Sequence, residues 1–220
     1  MTESIKTKSP NSCVIQFAKL PQLNRVKTRM QPYLTPEQSL MLHERLVAHT
    51  YKSLSKPNRW DYQLWVSAQG DETDFFADLT SDVAVSHPIK VQNGSDLGQR
   101  MHHALAAVLE NYRYAVIVGS DCPALDAAAI DRLLSHLKGG CSAALIPARD
   151  GGYVALALSE VCPALFDGVA WGSDTVLEQT CQRLQRLNWQ YRLEEAMPDI
   201  DRPEDLSHIR HYDWGDSFKP

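Results

Sequence analysis

The spacing of apolar residues along the chain predicts strands and helices in alternation. The run CVIQFA at 13–18 is almost entirely apolar, which is typical of a strand buried on both faces of a sheet. The stretch TPEQ at 35–38 has the form of a helix start, because Thr35 is a capping residue, proline follows it and Gln38 stands three positions on. Apolar residues then recur on one helical face, at Leu40, Val47, Tyr51 and Leu54.

The same alternation continues to the end of the chain. The clearest strand is RYAVIVG at 113–119, and a turn of Gly, Ser and Asp ends it abruptly. One apolar face marks each of the helices expected around residues 101–112, 130–137 and 176–187. A short helix is expected to begin near Pro203. Further strands are predicted at 61–68, 82–87, 90–92, 142–148, 151–158 and 189–194.

Strands that alternate with helices predict an α/β fold with a doubly wound, mostly parallel sheet. No linker, repeat or low-complexity tract divides the sequence. We therefore expect residues 1–220 to form a single domain, with 1–11 and 211–220 as flexible tails.

Composition excludes several classes of protein. The chain is 44% hydrophobic and 22% charged, as in ordinary globular proteins, and its apolar runs are too short to cross a membrane. Five scattered cysteines and a polar start without a signal-peptide core favour a cytoplasmic protein with reduced thiols. A net charge of −5 argues against a general nucleic-acid binder, and the eight histidines show no zinc spacing. The sequence is compatible with a homodimer and does not determine the oligomeric state.

Charge is distributed unevenly along the chain. Between Glu3 and Glu37 there are six cations and no carboxylate, whereas residues 37–220 hold 16 cations against 26 carboxylates. The cations of the stretch FAKLPQLNRVKTRM follow directly after the first predicted strand, where backbone amides and basic side chains together bind phosphates. A solvated basic face is the alternative. The stretch is not a P-loop, since it lacks G-x-x-x-x-G-K-[ST].

Four segments that carry glycine or charged residues directly follow predicted strands. In open parallel sheets, ligands bind at the edge where the carboxyl ends of the strands lie. Asp121 ends the most apolar strand, so we expect it to hold Mg²⁺ or Mn²⁺, which prefer oxygen ligands and bridge to phosphates. As an alternative, Asp121 would only cap the turn that follows its strand. The segments are the basic loop, NGSDLG after 92, GSDCPAL after 114–118 and ARDGGY after 142–147.

Three further residues have both a chemical and a structural interpretation. Asp201 is either a second metal ligand or a residue at the start of a helix. Asp150 is either a general base beside two glycines or part of a hairpin turn. Trp171, which precedes a Ser or Asp helix cap, either walls an acceptor pocket or belongs to the core.

Six motifs in order resemble a bacterial family of small GT-A-type transferases. The family is described as glycosyltransferase-like or nucleotide-diphospho-sugar transferase-like, and some members are associated with radical-SAM and with selenium- or arsenic-related gene neighbourhoods. More distantly, the chain is similar to phospholactate guanylyltransferase. The resemblance covers about residues 13–207. Its motifs are VIQFAKLPQLNRVKTRM, GSDLGQRM, VGSDCPAL, PARDGGYVAL, WGSDTVLEQT and DIDRPEDL.

The resemblance implies a Rossmann-like three-layer α/β/α sandwich that binds a nucleotide with Mg²⁺ or Mn²⁺. Two positions depart from the family pattern: Asn24 stands where glycine is usual, and Arg202 where threonine is common. Asparagine tolerates the left-handed backbone that such a turn requires. By analogy, the nucleotide and its phosphates are bound by Lys19, Lys27, Arg29, Gly98 and Arg100, the metal by Asp121 and Asp201, and the acceptor by Gly151, Gly152, Trp171 and Ser173, with Asp150 and Lys27 as catalytic residues.

Three functions follow as hypotheses. The first is a metal-dependent glycosyltransferase that uses a nucleotide-diphospho-sugar donor and a small-molecule acceptor. The alternative is a nucleotidyltransferase, guanylyltransferase-like, which joins a nucleoside triphosphate to a phosphorylated acceptor and releases pyrophosphate. That reaction needs a second anion site, for which Arg149 and Arg202 are candidates. The third is a nucleotide-binding regulator without turnover. Because fold alone does not determine reaction, the choice depends on the site.

Overall fold

A seven-stranded mixed sheet forms the centre of the protein. The computed structural model describes residues 11–55, 59–67, 74–81 and 89–218. The strands are β1 Ser12–Ala18, β2 Asp61–Ser67, β3 Ile89–Gln92, β4 Tyr114–Val118, β5 Ala143–Pro147, β6 Tyr153–Leu158 and β7 Tyr191–Leu193. The helices are α1 Pro36–Leu54, α2 Asp74–Ser81, α3 Leu97–Leu109, α4 Ala127–Lys138 and α5 Val176–Arg186.

The strand order places the predicted functional segments beside one another. The order is β3-β2-β1-β4-β6-β5-β7, and only β6 runs antiparallel to its neighbours. The central strand β1 is parallel to both β2 and β4, so Gln16 pairs with Leu64 on one side and Val118 on the other. The loops after β1 and β4 therefore meet at the carboxyl edge, which is the edge that the sequence indicates.

Helices cover both faces of the sheet, which confirms the three-layer α/β/α sandwich. On one face α1, α2 and α4 pack through fully buried side chains such as Tyr51 and Leu133. On the other face α3 and α5 pack through Leu105 and Leu184. The capping box predicted for α1 is present: Gln38 N donates to Thr35 Oγ1, and Thr35 N donates to Gln38 Oε1.

A third apolar cluster attaches the C-terminal segment to the start of the chain. Residues 203–209 form a 3-10 helix rather than an α-helix, and Ile209 is fully buried. The segment 211–218, expected to be a flexible tail, instead ends in a second 3-10 helix whose Phe218 is buried against this cluster. The cluster consists of Met30, Leu34, Leu42, Leu46, Ile200, Leu206, Ile209 and Phe218.

The other element predictions are largely confirmed, with a few exceptions. Helix α2 has no counterpart among the predicted elements. The strand expected at 82–87 and the tail at 1–10 lie outside the described residues. Across the described ranges, no helix is long and apolar enough to cross a membrane.

Candidate active site

The loop after β1 folds so that Lys27 points inward. Asn24 has a φ of 62° and Lys27 a φ of 49°, so both adopt the left-handed conformation, as expected for an asparagine in glycine's place. A 3-10 turn at Thr28–Met30 follows and buries Met30 in the third apolar cluster. The Lys27 side chain is consequently only 3% exposed, whereas Arg25 lies exposed on the surface.

The ammonium of Lys27 lies among three oxygen-bearing groups. Its Nζ is 2.7 Å from Asp121 Oδ1, 2.5 Å from the carbonyl oxygen of Ile200 and 4.0 Å from Asp201 Oδ1. Burial by itself would raise the pKa of Asp121, but the charge and hydrogen bond of Lys27 outweigh it, so the pKa lies below its usual value. Asp121 is therefore ionised near neutral pH.

Asp201 and Arg29 form a second ion pair at the same place. Arg29 Nη1 is 2.7 Å from Asp201 Oδ2, although the Arg29 side chain is 55% exposed. The backbone N–H groups of Asp201 and Arg202 both donate to Asp205 Oδ2, which fixes the chain before the 3-10 helix. The structure thus brings both predicted metal ligands beside two of the predicted phosphate-binding cations.

The donor atoms at Asp121 suit a magnesium-type ion. Asp121 Oδ1 lies 2.7 Å from Lys27 Nζ, and the Asp121 side chain is 48% exposed. In the portion of the chain that the structure describes, no group of three or more His, Cys, Asp or Glu side chains is arranged to hold a metal. Magnesium commonly uses only one or two carboxylates and completes its shell with substrate phosphates and water. Asp121 and Asp201 are carboxylates of the kind that such an ion uses, and each is paired with a cation in this structure.

A buried histidine orients the loop that carries Lys19. His43 on α1 is 4% exposed, and its Nε2 lies 3.0 Å from the carbonyl oxygen of Lys19. Because a carbonyl only accepts, Nε2 must carry the proton. Burial lowers the pKa of His43, so the ring is neutral near pH 7.

A buried polar network supports the turn that presents Asp121. Gln16 Nε2 donates to Ser120 Oγ at 2.9 Å, Tyr62 Oη donates to Gln16 Oε1 at 2.5 Å, and Ser120 Oγ donates to the carbonyl oxygen of Phe17. All three polar side chains have partners, as buried groups require. The network joins the ends of β1 and β4 at Ser120, the residue before Asp121.

A cavity of about 360 Å³ opens above these residues and is called the basic cavity. Three predicted phosphate-binding cations line it: Lys19, Lys27 and Arg100. Asp121 and Asp201 lie on its wall, while Ser67 and Gln92 line the part toward β2 and β3. The cavity carries three cations against two carboxylates, a balance that suits an anionic ligand accompanied by a divalent cation.

Asp150 lies in the hairpin turn between β5 and β6, as one of its two sequence-based interpretations predicted. Its Oδ1 accepts a hydrogen bond of 3.0 Å from the N–H of Gly152. Gly151 has a φ of 92°, and a Cβ at this position would lie 2.0 Å from the carbonyl oxygen of Asp174. Glycine is therefore required for the hairpin to contact the start of α5. The Asp150 side chain itself remains exposed and lines two cavities.

Trp171 walls a second cavity of about 220 Å³, called the apolar cavity. Its indole packs on Gly98 of α3, where a Cβ would lie 2.6 Å from Nε1. Gly98 does not line the basic cavity, so the reason that the structure shows for this glycine is close packing with Trp171. The cavity is lined by Phe17, Arg29, Leu97, Met101, Ile117, Val118, Gly119, Asp150, Gly152, Tyr153, Val154, Trp171, Gly172, Ser173 and Val176.

A third cavity of about 390 Å³ contains three arginines and is called the arginine cavity. Arg149 and Arg202 both line it, and within the described ranges neither guanidinium has a carboxylate in ion-pair distance. Five carboxylates line the same cavity, so its charge is negative despite the arginines. Ser173 also lines it, and Ser173 Oγ donates to the carbonyl oxygen of Ala170. The carboxylates are Asp150, Asp174, Asp199, Asp201 and Asp205.

Asp199 is a carboxylate of this region whose pKa is strongly raised. Burial, followed by the charges of Asp150 and Asp121, raises its pKa from 3.8 to about 6. The segment that carries it continues from β7 beside β5, where Met197 N donates to the carbonyl oxygen of Pro147. Asp199 therefore belongs to the same group of carboxylates as the predicted site residues.

Replacing Asp199 with asparagine is expected to stabilise the protein in neutral solution. The folded pKa, about 6, lies above the unfolded value of about 3.9. The contribution of the protonated Asp199 carboxyl to the unfolding free energy is therefore fully present below about pH 4. It is lost as pH rises through 6. Chemical denaturation with a chelator present should show Asp199→Asn to be more stable by about 1–2 kcal/mol at pH 8, after allowing for partial exposure. Equal stability of the variant and wild type is expected at pH 4, and a destabilised variant at pH 8 would contradict the raised pKa of Asp199.

Sequence reasoning missed four residues that shape this site. Gln16 has a visible signal, since it is a polar residue in the middle of an apolar strand. Ser120 lies within the motif GSDCPAL, but the sequence did not predict a role for it. His43 has no local signal. Asp199 stands in a stretch noticeable for its four carboxylates, but its own effect depends on residues distant in the chain.

The chain shares a family model and a fold with known proteins. The model described as "Uncharacterized protein conserved in bacteria (DUF2064)" matches residues 50–173. No curated protein matches the sequence significantly. A solved structure from Desulfovibrio desulfuricans G20, provisionally named a nucleotide-diphospho-sugar transferase, is similar at 27% identity with a TM-score of 0.82. The alignment covers 93% of this chain and 90% of that one.

More distant structures share the fold alone. One is 4-diphosphocytidyl-2C-methyl-D-erythritol synthase from Anaerococcus prevotii, with 11% identity, a TM-score of 0.61 and coverage of 92% of this chain and 96% of that one. Another is a cytidylyltransferase from Leptospira borgpetersenii, with 11% identity, a TM-score of 0.56 and coverage of 91% and 85%. By name, the Desulfovibrio and Leptospira structures are transferases and the Anaerococcus structure is a synthase. Together the matches confirm the family resemblance and the fold expected from the motifs.

Proposed function

This chain belongs to the DUF2064 family, and we propose that it is a metal-dependent glycosyltransferase that uses a nucleotide-diphospho-sugar donor. The central observation is the position of Lys27, whose buried ammonium bridges Asp121 and the Ile200 carbonyl at the floor of the basic cavity. A buried lysine held beside the end of β4 is suited to a diphosphate, because charge-assisted hydrogen bonds are strong when water is excluded. The name of the structure at 27% identity supports the same donor class.

The donor would bind with its diphosphate near Lys27 and Lys19. Its nucleoside would extend toward Ser67, Gln92 and Arg100, where β2 and β3 end. Asp121, with Asp201 nearby, would hold Mg²⁺ or Mn²⁺, which supplies positive charge to a departing diphosphate. Arg29 is already paired with Asp201 and more than half exposed, so we assign it a smaller part in phosphate binding.

We assign Asp150 to the acceptor. It lies in the wall that the apolar and arginine cavities share, together with Gly172, Ser173 and Arg29. In the proposed reaction, its carboxylate takes the proton of an acceptor hydroxyl while that oxygen bonds to the sugar's anomeric carbon. The bond between the sugar and the diphosphate breaks, and the nucleoside diphosphate leaves with the bonding electrons.

Nucleotidyl transfer is the second candidate, and one observation favours it. Arg149 and Arg202 line the arginine cavity without an ion-pair partner among the described residues, and a phosphorylated acceptor needs such cations. The five carboxylates of the same cavity oppose a phosphate there, so glycosyl transfer remains the leading proposal.

A ligand panel read by thermal shift would decide between the two reactions. The panel contains UDP-, GDP-, ADP-, CDP- and dTDP-sugars and the nucleoside triphosphates, each with Mg²⁺, Mn²⁺ or a chelator. A ligand at 100 times its Kd adds about 2.7 kcal/mol to the unfolding free energy. We expect a nucleotide sugar with metal to stabilise the protein most. Stabilisation by triphosphates alone, with pyrophosphate release in the presence of sugar phosphates, would replace glycosyl with nucleotidyl transfer.

A further inference from the structure

The apolar cavity has a different composition from the two cavities beside it. Nine of its residues are apolar or aromatic, among them Phe17, Tyr153 and Trp171. None of Lys19, Lys27 or Arg100 lines it, although all three line the basic cavity. A diphosphate-binding function does not require such a surface, so the cavity needs a separate explanation.

The size of the cavity limits what it can hold. Its volume of about 220 Å³ is below the roughly 300–1,000 Å³ of pockets that enclose a whole drug-sized ligand. It therefore suits one ring or a short branched chain that belongs to a larger molecule. The wall is fixed on the α3 side, because the Trp171 indole packs directly on Gly98.

The cavity opens beside the group proposed to activate the acceptor. Asp150 and Ser173 line both the apolar and the arginine cavity, so a molecule that binds at Asp150 is within reach of both. The arginine cavity is negative in sum, with five carboxylates and three arginines, and it therefore disfavours a strongly anionic ligand.

We propose that the acceptor is an uncharged alcohol or sugar whose reacting hydroxyl lies next to an apolar ring or short chain, and that this apolar group binds in the cavity walled by Trp171. The hydroxyl reaches Asp150 while the apolar group displaces water between Trp171 and the ends of β4 and β6. This inference rests on the proposed glycosyl transfer, and it adds the chemical class of the acceptor.

Two glucosides that differ only in the apolar group test the proposal. Binding of phenyl β-glucoside and methyl β-glucoside to the full chain is measured by calorimetry with the best nucleotide sugar and Mg²⁺ present. Phenyl β-glucoside should bind at least about tenfold more tightly, which requires about 60 Å² of additional buried apolar surface. Equal affinity of the two glucosides would overturn the proposal.

Filling the cavity should remove the difference between the two glucosides. Val176 is 6% exposed and lines the cavity, so Val176→Phe should reduce phenyl glucoside affinity to that of the methyl glucoside and leave nucleotide-sugar affinity unchanged. Val91→Phe is the matched control, because Val91 is 57% exposed on the edge strand β3. Trp171→Ala, which removes the wall, serves as the second variant if Val176→Phe does not fold. A preference for the phenyl group that persists in the folded variants would contradict the placement.

Competition separates this proposal from the proposed function. If a nucleoside monophosphate displaces phenyl β-glucoside, the apolar cavity holds the nucleobase and the acceptor inference fails. If nucleotide sugars bind and the phenyl group gives no advantage, the acceptor inference also fails while the donor assignment stands. If wild type binds no nucleotide at all, the proposed function itself fails.

Discussion

Replacing Asp150 with asparagine is expected to lower turnover by about 10²–10⁴-fold, the usual contribution of a general base. The asparagine side-chain oxygen can still accept the hydrogen bond from Gly152 N, so the hairpin between β5 and β6 should keep its shape. The affinity for the nucleotide sugar should not change, because Asp150 does not line the basic cavity. Release of nucleoside diphosphate measures turnover, and calorimetry measures donor affinity.

The control for this variant is an exposed carboxylate elsewhere. Asp213→Asn removes the same charge from a residue that lines none of the three cavities, and its turnover should equal that of wild type. A folded Asp150→Asn protein with undiminished turnover would show that another group accepts the proton.

Replacing Lys27 with alanine is expected to have the largest effect on donor binding. The Kd for the nucleotide sugar should rise about tenfold or more, since a charge-assisted hydrogen bond contributes about 1.5–3 kcal/mol and 1.4 kcal/mol is a decade. The unfolding free energy should also fall by about 1–3 kcal/mol, because the Ile200 carbonyl and Asp121 lose their shared donor. Calorimetry and urea denaturation measure the two effects.

Two other basic residues provide the comparison. Arg29→Ala should weaken donor binding less than Lys27→Ala, because Arg29 is 55% exposed and already paired with Asp201. Lys138→Ala changes an exposed lysine at the end of α4 and should have no effect. If Lys27→Ala binds the donor as well as Lys138→Ala does, the basic loop is surface and the phosphate site lies elsewhere.

The sequence predicted those features that depend on neighbouring residues. The capping box at Thr35 and Gln38, the buried strand β4 and the left-handed Asn24 all follow from local chemistry, and all are present. The meeting of the four segments at one edge also follows, because parallel strands end on the same side of a sheet.

Features that depend on distant residues could not be predicted in this way. The pairing of Lys27 with the Ile200 carbonyl joins positions 173 residues apart, and it depends on the third apolar cluster, which draws the C-terminal segment to Met30. The same packing explains why residues 211–218, polar in sequence, are held in place through Phe218. The reason for glycine at position 98 is likewise a contact with Trp171, far along the chain.

The decisive experiment is calorimetric titration of the nucleotide sugar into wild type and Asp121→Asn, with Mn²⁺ and with a chelator. It tests the claim that the basic cavity binds the donor's diphosphate together with a metal at Asp121. We predict that wild type binds the donor at least about tenfold more tightly with Mn²⁺ than with the chelator, and that folded Asp121→Asn loses this difference. A folded Asp121→Asn protein that binds the donor with undiminished, Mn²⁺-dependent affinity would contradict the claim.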